Sequence, residues 1–361
     1  MDQMIKKKMK NNILLDHFYR FVCNFTIADG MFVLYLGQKG LSLAQIGLME
    51  AVFHAVSVMT EIPSGAMSDL FGRKKTLLLS GICGILNCAI MLSTDNLWLL
   101  GLSFVFSAWR YNLISGTEEA LLYDSMLQLG EERAFTKTAG RLCFVAEIAG
   151  GIGLLLGGYV AKRSYFLCYV IAMLSDMASI VFVCFMTEPE NRQKAVSVKE
   201  HFITSYRIVR GDKELAKILA GYALVFACYT TAFLYSQKFY YAKGLDEVAI
   251  GYLLLFMSFC SSAGALLAEP AKKRFGRLTS YLLAAVLLAG LCVMAAGSFW
   301  ISVFEYAAAS MANAALDPLQ SEAINSRIPS EQRATLISVS SMCFSVVMIV
   351  IFPLVGLLAS W

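Results

Sequence analysis

Gly65-Ala66-Met67-Ser68-Asp69-Leu70-Phe71-Gly72-Arg73-Lys74-Lys75 is a short polar turn held between two long apolar runs. It has an echo. Phe71-Gly72-Arg73 recurs 204 residues later as Phe275-Gly276-Arg277, and Lys39-Gly40-Leu41 with Ile46-Gly47 recurs at the same offset as Lys243-Gly244-Leu245 with Ile250-Gly251. Two anchors at one offset mean that the chain contains itself twice. A third anchor, Glu131-Glu132-Arg133-Ala134, returns as Glu331-Gln332-Arg333-Ala334 at an offset of 200, so four residues have been lost between the copies. A duplicated apolar bundle with a charged hinge in each copy is an architecture that rocks about a central site.

The chain has 361 residues, 58% of them hydrophobic and 16% charged, and its mean hydropathy is +0.64. Soluble domains carry about 25% charged residues. Apolar runs of roughly 20 residues, each long enough to cross a bilayer core of about 30 Å as a helix, recur along the whole length. The fold class is therefore all-α and polytopic in the membrane. A β-barrel is excluded, because the runs do not alternate in polarity. The runs predict helices over 14–36, 43–66, 76–93, 97–122, 138–161 and 165–186, then 215–241, 248–268, 278–298, 301–324 and 334–360. The expected domains are an N-terminal six-helix bundle over 1–186, a polar linker over 187–214, and a C-terminal bundle of five helices over 215–361. Part of the linker, with Phe202, Tyr206 and Val209 on one helical face, reads either as a surface-lying helix or as a solvated one. The repeat offset places the partner of the sixth helix beyond Trp361, so a twelfth helix is absent from this chain and truncation is expected.

Charge fixes an expected orientation. Lys6, Lys7, Lys8 and Lys10 precede the first helix, and the other basic clusters fall on alternate loops. This predicts a cytoplasmic N-terminus in a protein integral to the cell (plasma or inner) membrane. The start resembles a signal peptide, but its apolar run is too long and no small-residue cleavage site follows. The net charge of +4 is thus a topology signal and not a nucleic-acid signal. All ten cysteines lie within apolar runs without a C-x-x-C, and the three histidines have no ligand-like spacing, so neither disulfides, a metal nor a cofactor is expected. No nucleophile–base constellation suggests an enzyme. No phosphate-cradling glycine loop suggests a primary pump.

The turn fits G-x-x-x-D-x-x-G-R-[KR] through Gly65, Asp69, Gly72, Arg73 and Lys74. It resembles motif A of the major facilitator superfamily, with a degenerate copy at Gly276 and Arg277 in which Lys273 stands in the place of Asp69. The resemblance implies two parallel six-helix repeats. It also implies that this cluster latches the bundles on the cytoplasmic side, Arg73 pairing with Asp69 and with Glu118, Glu119 or Asp124 as further partners. Gly150, Gly153, Gly157 and Gly158 of the fifth helix are similar to the family's exporter motif G-P-x-x-G-G, with Leu154 where proline is expected. Small residues along one face also serve helix packing in lipid. The family's helix-4 arginine motif departs here as well: Gly116 lies six residues after Arg110, not four.

Charges near mid-bilayer cost about 2.5–3.5 kcal/mol each on insertion scales, so they face the bundle interior and find partners. Asp29, His54, Arg110, Glu147 and Asp176 sit near the middle of their predicted helices, and Glu50 and Glu305 nearer the outer third. Arg110 is expected to pair with Glu147 or Asp29. Asp29, Glu147 and Glu50 are the candidate proton carriers, since a carboxylate paired in one state and desolvated in another changes its proton affinity. A permanent structural ion pair is the competing reading. The family's cargo cavity lies on helices 1, 4, 7 and 10, which here offer Asn24, Asn112, Tyr222, Tyr229, Tyr235, Gln237, Glu305, Tyr306 and Asn313. The tyrosines suit an amphipathic ligand with a hydrogen-bonding handle. The expected protein is a monomeric secondary transporter with a small-molecule substrate and protons as partners, working as a proton-coupled exporter (an antiporter of drug-like compounds). The alternatives are an importer or facilitator of a polar metabolite and a non-transporting sensor.

Overall fold

The computed structural model describes residues 3–189, 207, 210–296, 298–325 and 333–358, and every regular element among them is helical. The chain runs through α1 (Gln3–Cys23), α2 (Phe32–Gln38), α3 (Leu43–Phe71), α4 (Arg73–Ser93), α5 (Leu97–Ile114), α6 (Thr117–Leu129), α7 (Phe135–Arg163) and α8 (Tyr165–Phe185). It continues through α9 (Lys213–Ala242), α10 (Glu247–Phe275), α11 (Thr279–Ala296), α12 (Phe299–Asn325) and α13 (Arg333–Leu358). Eight stretches among the described residues are long and apolar enough to cross a membrane, α5 and α6 counting as one. Large apolar side chains stand exposed along them, Trp98, Met59, Leu266 and Leu358 each more than 70%. A soluble protein does not expose apolar surface on that scale. A bilayer accepts it, because lipid tails are as apolar as leucine.

The chain forms two compact units. One is Met1–Leu41 with Val52–His201, and the other is Ser42–Ala51 with Phe202–Trp361. In the first unit α4 packs on α5 and α8, and α1 packs on α6, α7 and α8. In the second, α12 packs on both α10 and α11, and α9 packs on α13. The linker residues Phe202, Tyr206 and Val209 lie outside the described residues.

Two predicted helices are broken. The first, expected as one run over 14–36, stops at Cys23 and resumes at Phe32. In between, turn-like bonds such as Ile27 N–H to Phe25 O (2.8 Å) and Met31 N–H to Ala28 O (3.0 Å) replace the helical ladder. Free backbone groups in hydrocarbon are tolerated only where protein covers them. The glycine face of α7 supplies the cover: a Cβ on Gly157 would run into the Ile27 carbonyl, and one on Gly153 would sit 2.7 Å from Thr26 N. The fourth helix, expected over 97–122, breaks at Gly116. This residue takes φ +74°, a conformation side-chain-bearing residues rarely adopt. The helix then continues to Leu129.

At the α2–α3 corner, Lys39 Nζ donates to Asp95 Oδ1 (2.7 Å) and Thr94 O (2.9 Å), tying that corner to the α4–α5 link. Partial burial pushes the Lys39 ammonium pKa down, and its bond to Asp95 with the nearby Tyr35 hydroxyl outweighs this, so it ends above the usual lysine value.

Replacing Gly157 with leucine should destabilise the protein by about 1–3 kcal/mol, the usual cost of overpacking. The same change at Gly140, where a Cβ meets nothing within 4 Å, should have little effect. Thermal unfolding of the two variants in one detergent compares them directly, and equal stability would refute the covering role of Gly157.

Candidate functional site

The polar turn of residues 65–75 folds around Arg73, only 6% exposed at the first residue of α4. Its guanidinium pairs with Asp69 Oδ1 one turn earlier, donates to Ser68 Oγ (2.9 Å), and reaches Asp124 Oδ2 on α6 (3.5 Å). Of the three further carboxylates offered to it by the sequence, Asp124 is the one within bonding range; Glu118 is taken by Arg20, with Arg20 Nη1 3.2 Å from its Oε1. Gly72 takes φ +98°, and a Cβ there would lie 2.9 Å from the carboxylate of Glu188. That carboxylate accepts from Arg73 N–H (2.7 Å) and Lys74 N–H (2.8 Å), capping the positive end of α4. Lys74 Nζ in return donates to Cys184 O and Met186 O (2.7 Å each) at the end of α8. Glu188, which no sequence motif marks, is thus built into the turn. In the second copy Gly276 has φ +56° and Lys273 pairs with Glu269 (2.6 Å). Gly65 is exposed in α3, and the side chain of Arg277 lies outside the described residues.

Arg110 corrects the sequence expectation. Its Nε donates to Asp176 Oδ1 on α8 at 2.8 Å, and its Nη2 to Cys23 O at 3.3 Å. It therefore neutralises a carboxylate and also caps the C-terminus of α1 at the break. Asp176 fits because Gly84 on α4 has no side chain; a Cβ there would collide with the Asp176 carboxylate. Asp29, in the broken segment and not inside a helix, lies within electrostatic range of both Arg110 and Asp176. Glu147 is exposed on α7 and makes no ion pair among the described residues. Glu50 is half-buried near the start of α3 within electrostatic range of Tyr235.

The candidate cavity residues divide sharply. Asn112 is 1% exposed and already bonded: Nδ2 donates to Ser57 O (2.7 Å) and Thr60 Oγ1 (2.8 Å), and Oδ1 accepts from Ser57 Oγ (3.0 Å). It ties α3 to α5 and offers no free group to a ligand. Tyr235 is buried and donates to backbone carbonyls of Leu43 and Phe352, and Gln237 and Tyr306 are fully buried. Those four are packing residues. Asn24 is half-buried and donates to Arg20 O (2.8 Å). Tyr222 and Tyr229 are half-buried, bonded to Ser280 Oγ (2.8 Å) and Ser310 Oγ (3.0 Å). Glu305 is half-buried, its backbone carbonyl 3.0 Å from where a Cβ on Gly290 would sit. Asn313 holds its Oδ1 buried without a hydrogen bond among the described residues. No group of three or more histidine, cysteine, aspartate or glutamate side chains able to hold a metal occurs among the described residues.

Broken membrane helices around a buried ion pair, in a helical bundle repeated in sequence, define the architectural class of secondary transporters. The Major Facilitator Superfamily model matches residues 21–268 and 240–361, and the chain belongs to that family. It is 24% identical over 256 residues to the uncharacterised MFS-type transporter YxaM of Bacillus subtilis (strain 168), covering 67% of this chain and 62% of YxaM. It is 25% identical over 152 residues to the class H tetracycline resistance protein of Pasteurella multocida, covering 42% of this chain and 37% of that protein. The matched stretches thus span less than two thirds of either relative. Among solved structures, a bacterial homologue of the human lysosomal transporter Spinster superposes with a TM-score of 0.75 at 15% identity, covering 98% of this chain and 82% of that one. The nucleoside transporter NupG superposes with a TM-score of 0.73 at 14% identity, covering 100% and 91%. The chain is an integral membrane protein with the MFS transporter fold.

Replacing Asp176 with alanine strands the Arg110 guanidinium and should cost about 1–3 kcal/mol, whereas Glu147→Ala should stay within about 0.5 kcal/mol of the parent. Denaturant unfolding in detergent checks the contrast, and an equal loss in both variants would contradict the pairing.

Proposed function

We propose that the protein is a secondary active transporter that exports small amphipathic molecules in exchange for protons. The observation that carries this reading is the Arg110–Asp176 pair at the break in the first helix, with Asp29 close by in the unwound segment. An arginine that holds one carboxylate, with a second in reach, can trade partners as protons come and go. Each trade changes which backbone and side-chain groups are satisfied around the break, and so biases one conformation over another. In this reading Asp29 and Asp176 carry the proton, Arg110 holds them, and Glu50 and Glu147 take secondary parts. Asp69, Arg73 and Asp124 form the latch that makes and breaks as the repeats rock. Half-buried hydroxyls at Tyr222 and Tyr229, amides at Asn24 and Asn313, and the Glu305 carboxylate suit a ligand that is largely apolar with a few hydrogen-bonding handles.

The distant likeness to a tetracycline resistance protein supports export. So do the glycines of α7. The protein then acts as a monomer in the cell membrane with its N-terminus in the cytoplasm and needs no cofactor. One observation favours a different direction: Leu154 replaces the proline of the exporter motif, which leaves open import or facilitated passage of a polar metabolite.

Inside-out membrane vesicles test the reading. Energised vesicles should take up a fluorescent amphipathic cation, and an uncoupler should abolish the uptake. Arg110→Ala and Asp29→Asn should reduce it to the level of vesicles without the protein, with unchanged amounts of protein in the membrane. Uptake indifferent to the uncoupler, or normal uptake by Arg110→Ala, would remove the proposal.

A further inference from the structure

The first unit buries a further charged group, built on an i,i+4 pair of α1. Asp16 and Arg20 lie one turn apart on α1, 1% and 8% exposed, and Glu118 faces them from the first turn of α6. Arg20 Nη1 is 3.2 Å from Glu118 Oε1, and Arg20 Nε is 3.5 Å from Asp16 Oδ2. Two carboxylates share one guanidinium, and its planar fork does not satisfy both. Asp16 Oδ2 and Arg20 Nε have only each other, at that long distance, and Glu118 Oε2 is buried without a hydrogen bond among the described residues. Beside them lies the Oη of Tyr19, a residue 0% exposed, next to Cys23 and within electrostatic range of Glu118.

Among the described residues, nothing else on the surrounding helices balances the charge. From α6 comes Glu119, exposed and of the same sign; from α7 comes Cys143. From α5 comes Arg110, already bonded to Asp176. Around Tyr19 pack the apolar side chains Leu77 of α4, Leu121 of α6, Phe182 and Val183 of α8, and Met186 just after α8. With both carboxyl groups ionised, the cluster would hold a net negative charge largely shielded from water, the Asp16 side chain being 2% and the Glu118 side chain 18% exposed, which is unfavourable. A proton on one carboxyl removes that charge. It also provides the O–H donor that the unbonded oxygens lack. A metal cation would remove the charge too, but it would sit against the guanidinium and be repelled.

We propose that Asp16, Arg20 and Glu118 form a proton-binding site of their own, separate from Arg110 and Asp176, in which the two carboxyl groups hold one proton at neutral pH. Its use in transport rests on the proton-coupled reading above, whereas the binding itself does not.

Infrared spectra of the full-length chain in lipid at neutral pH test the site through the C=O stretch of protonated carboxyl groups. The parent protein should show this band. Asp16→Asn and Glu118→Gln each leave one carboxylate facing one guanidinium, and each should lose one acid carboxyl's intensity. Arg20→Gln leaves two carboxylates without a cation and should gain intensity. Exposed Glu131 is the control, and Glu131→Gln should change nothing. A merely structural salt bridge would leave the band unmoved by these changes. An unchanged band in Asp16→Asn and Glu118→Gln overturns the proposal. If those variants do not fold, the parent decides against Asp29→Asn and Asp176→Asn: a neutral-pH acid band beyond what those two changes remove supports the site, and the lack of any such band overturns it. If the band behaves as expected while vesicle uptake ignores the uncoupler, the site stands and the coupling reading falls. Proton-driven uptake with an unmoved band does the reverse: coupling stands and the site falls.

Discussion

Hydrocarbon offers no hydrogen bonds, so every polar group placed in it must be met by another from the same chain. The first unit meets this constraint with a ladder of ties along α1. Asn12 Nδ2 donates to Ser125 Oγ (3.0 Å) and to Thr187 O (2.8 Å), Arg20 joins Glu118, and the Cys23 carbonyl at the helix end accepts from Arg110. The rungs link α1 to α6 twice, to α5 once, and to the segment after α8. The break after Cys23 is possible because its terminal carbonyl has a cation waiting and its unwound backbone lies on the glycines of α7. Without either, an open backbone at that depth would be too costly to keep.

The polar turn shows how a short motif holds more than one job. Its glycine at φ +98° stops α3 and starts α4 within a single residue, and the missing side chain leaves the space Glu188 fills. The same carboxylate caps two backbone amides, so the chain leaving α8 is fastened to the start of α4 at the place where Arg73 gathers Asp69 and Asp124. The charged hub is thereby anchored on three segments at once. The second copy keeps the left-handed glycine and an i,i+4 ion pair, but built from exposed Glu269 and Lys273. Exposed pairs contribute about 0–1 kcal/mol, so the later turn retains the bend with little of the hub's strength.

Much of this is legible in the sequence. The apolar spans, the repeat and the Asp69–Arg73 spacing follow from periodicity and from an i,i+4 charge pair at a glycine turn. The break at Gly116 has its signal in the glycine itself. The break at 24–31 has a weaker one: Asp29-Gly30 marks its far end, but Asn24, Phe25, Thr26 and Ile27, where the helix stops, include neither proline nor glycine, and what covers them lies about 130 residues on, in the face of α7. Depth along a helix offers Arg110 several carboxylates, but depth does not give azimuth. Asp176 is at the right depth too, and the deciding clue is Gly84, a gap in a neighbouring helix. Tyr235, Tyr306, Gln237 and Asn112 look like cavity residues because they are polar, whereas in lipid a polar side chain is as often a tie between helices. Asp16 and Arg20 do announce themselves by their i,i+4 spacing, and only their nearness to the lysine-rich N-terminus makes them look solvated.

The distribution of charge separates the two units in kind. The buried ion pairs among the described residues, those of Arg20, Arg73 and Arg110, all belong to the first unit. The described ion pairs of the second unit, Lys217–Glu214, Lys273–Glu269 and Lys272–Glu322, are exposed. Its interior is tied by neutral groups instead, with Tyr222 on Ser280 and Tyr229 on Ser310 around a core of Leu287, Ala309, Ala312 and Leu316. Neutral hydroxyl ties barely respond to pH or to membrane potential, and buried carboxylates respond to both. A duplicated ancestor therefore gave rise to two bundles with different sensitivities. Among the described residues, the buried ion pairs thus gather in the first unit, while the second is held by neutral ties and keeps Glu50 and Glu305 as half-buried carboxylates.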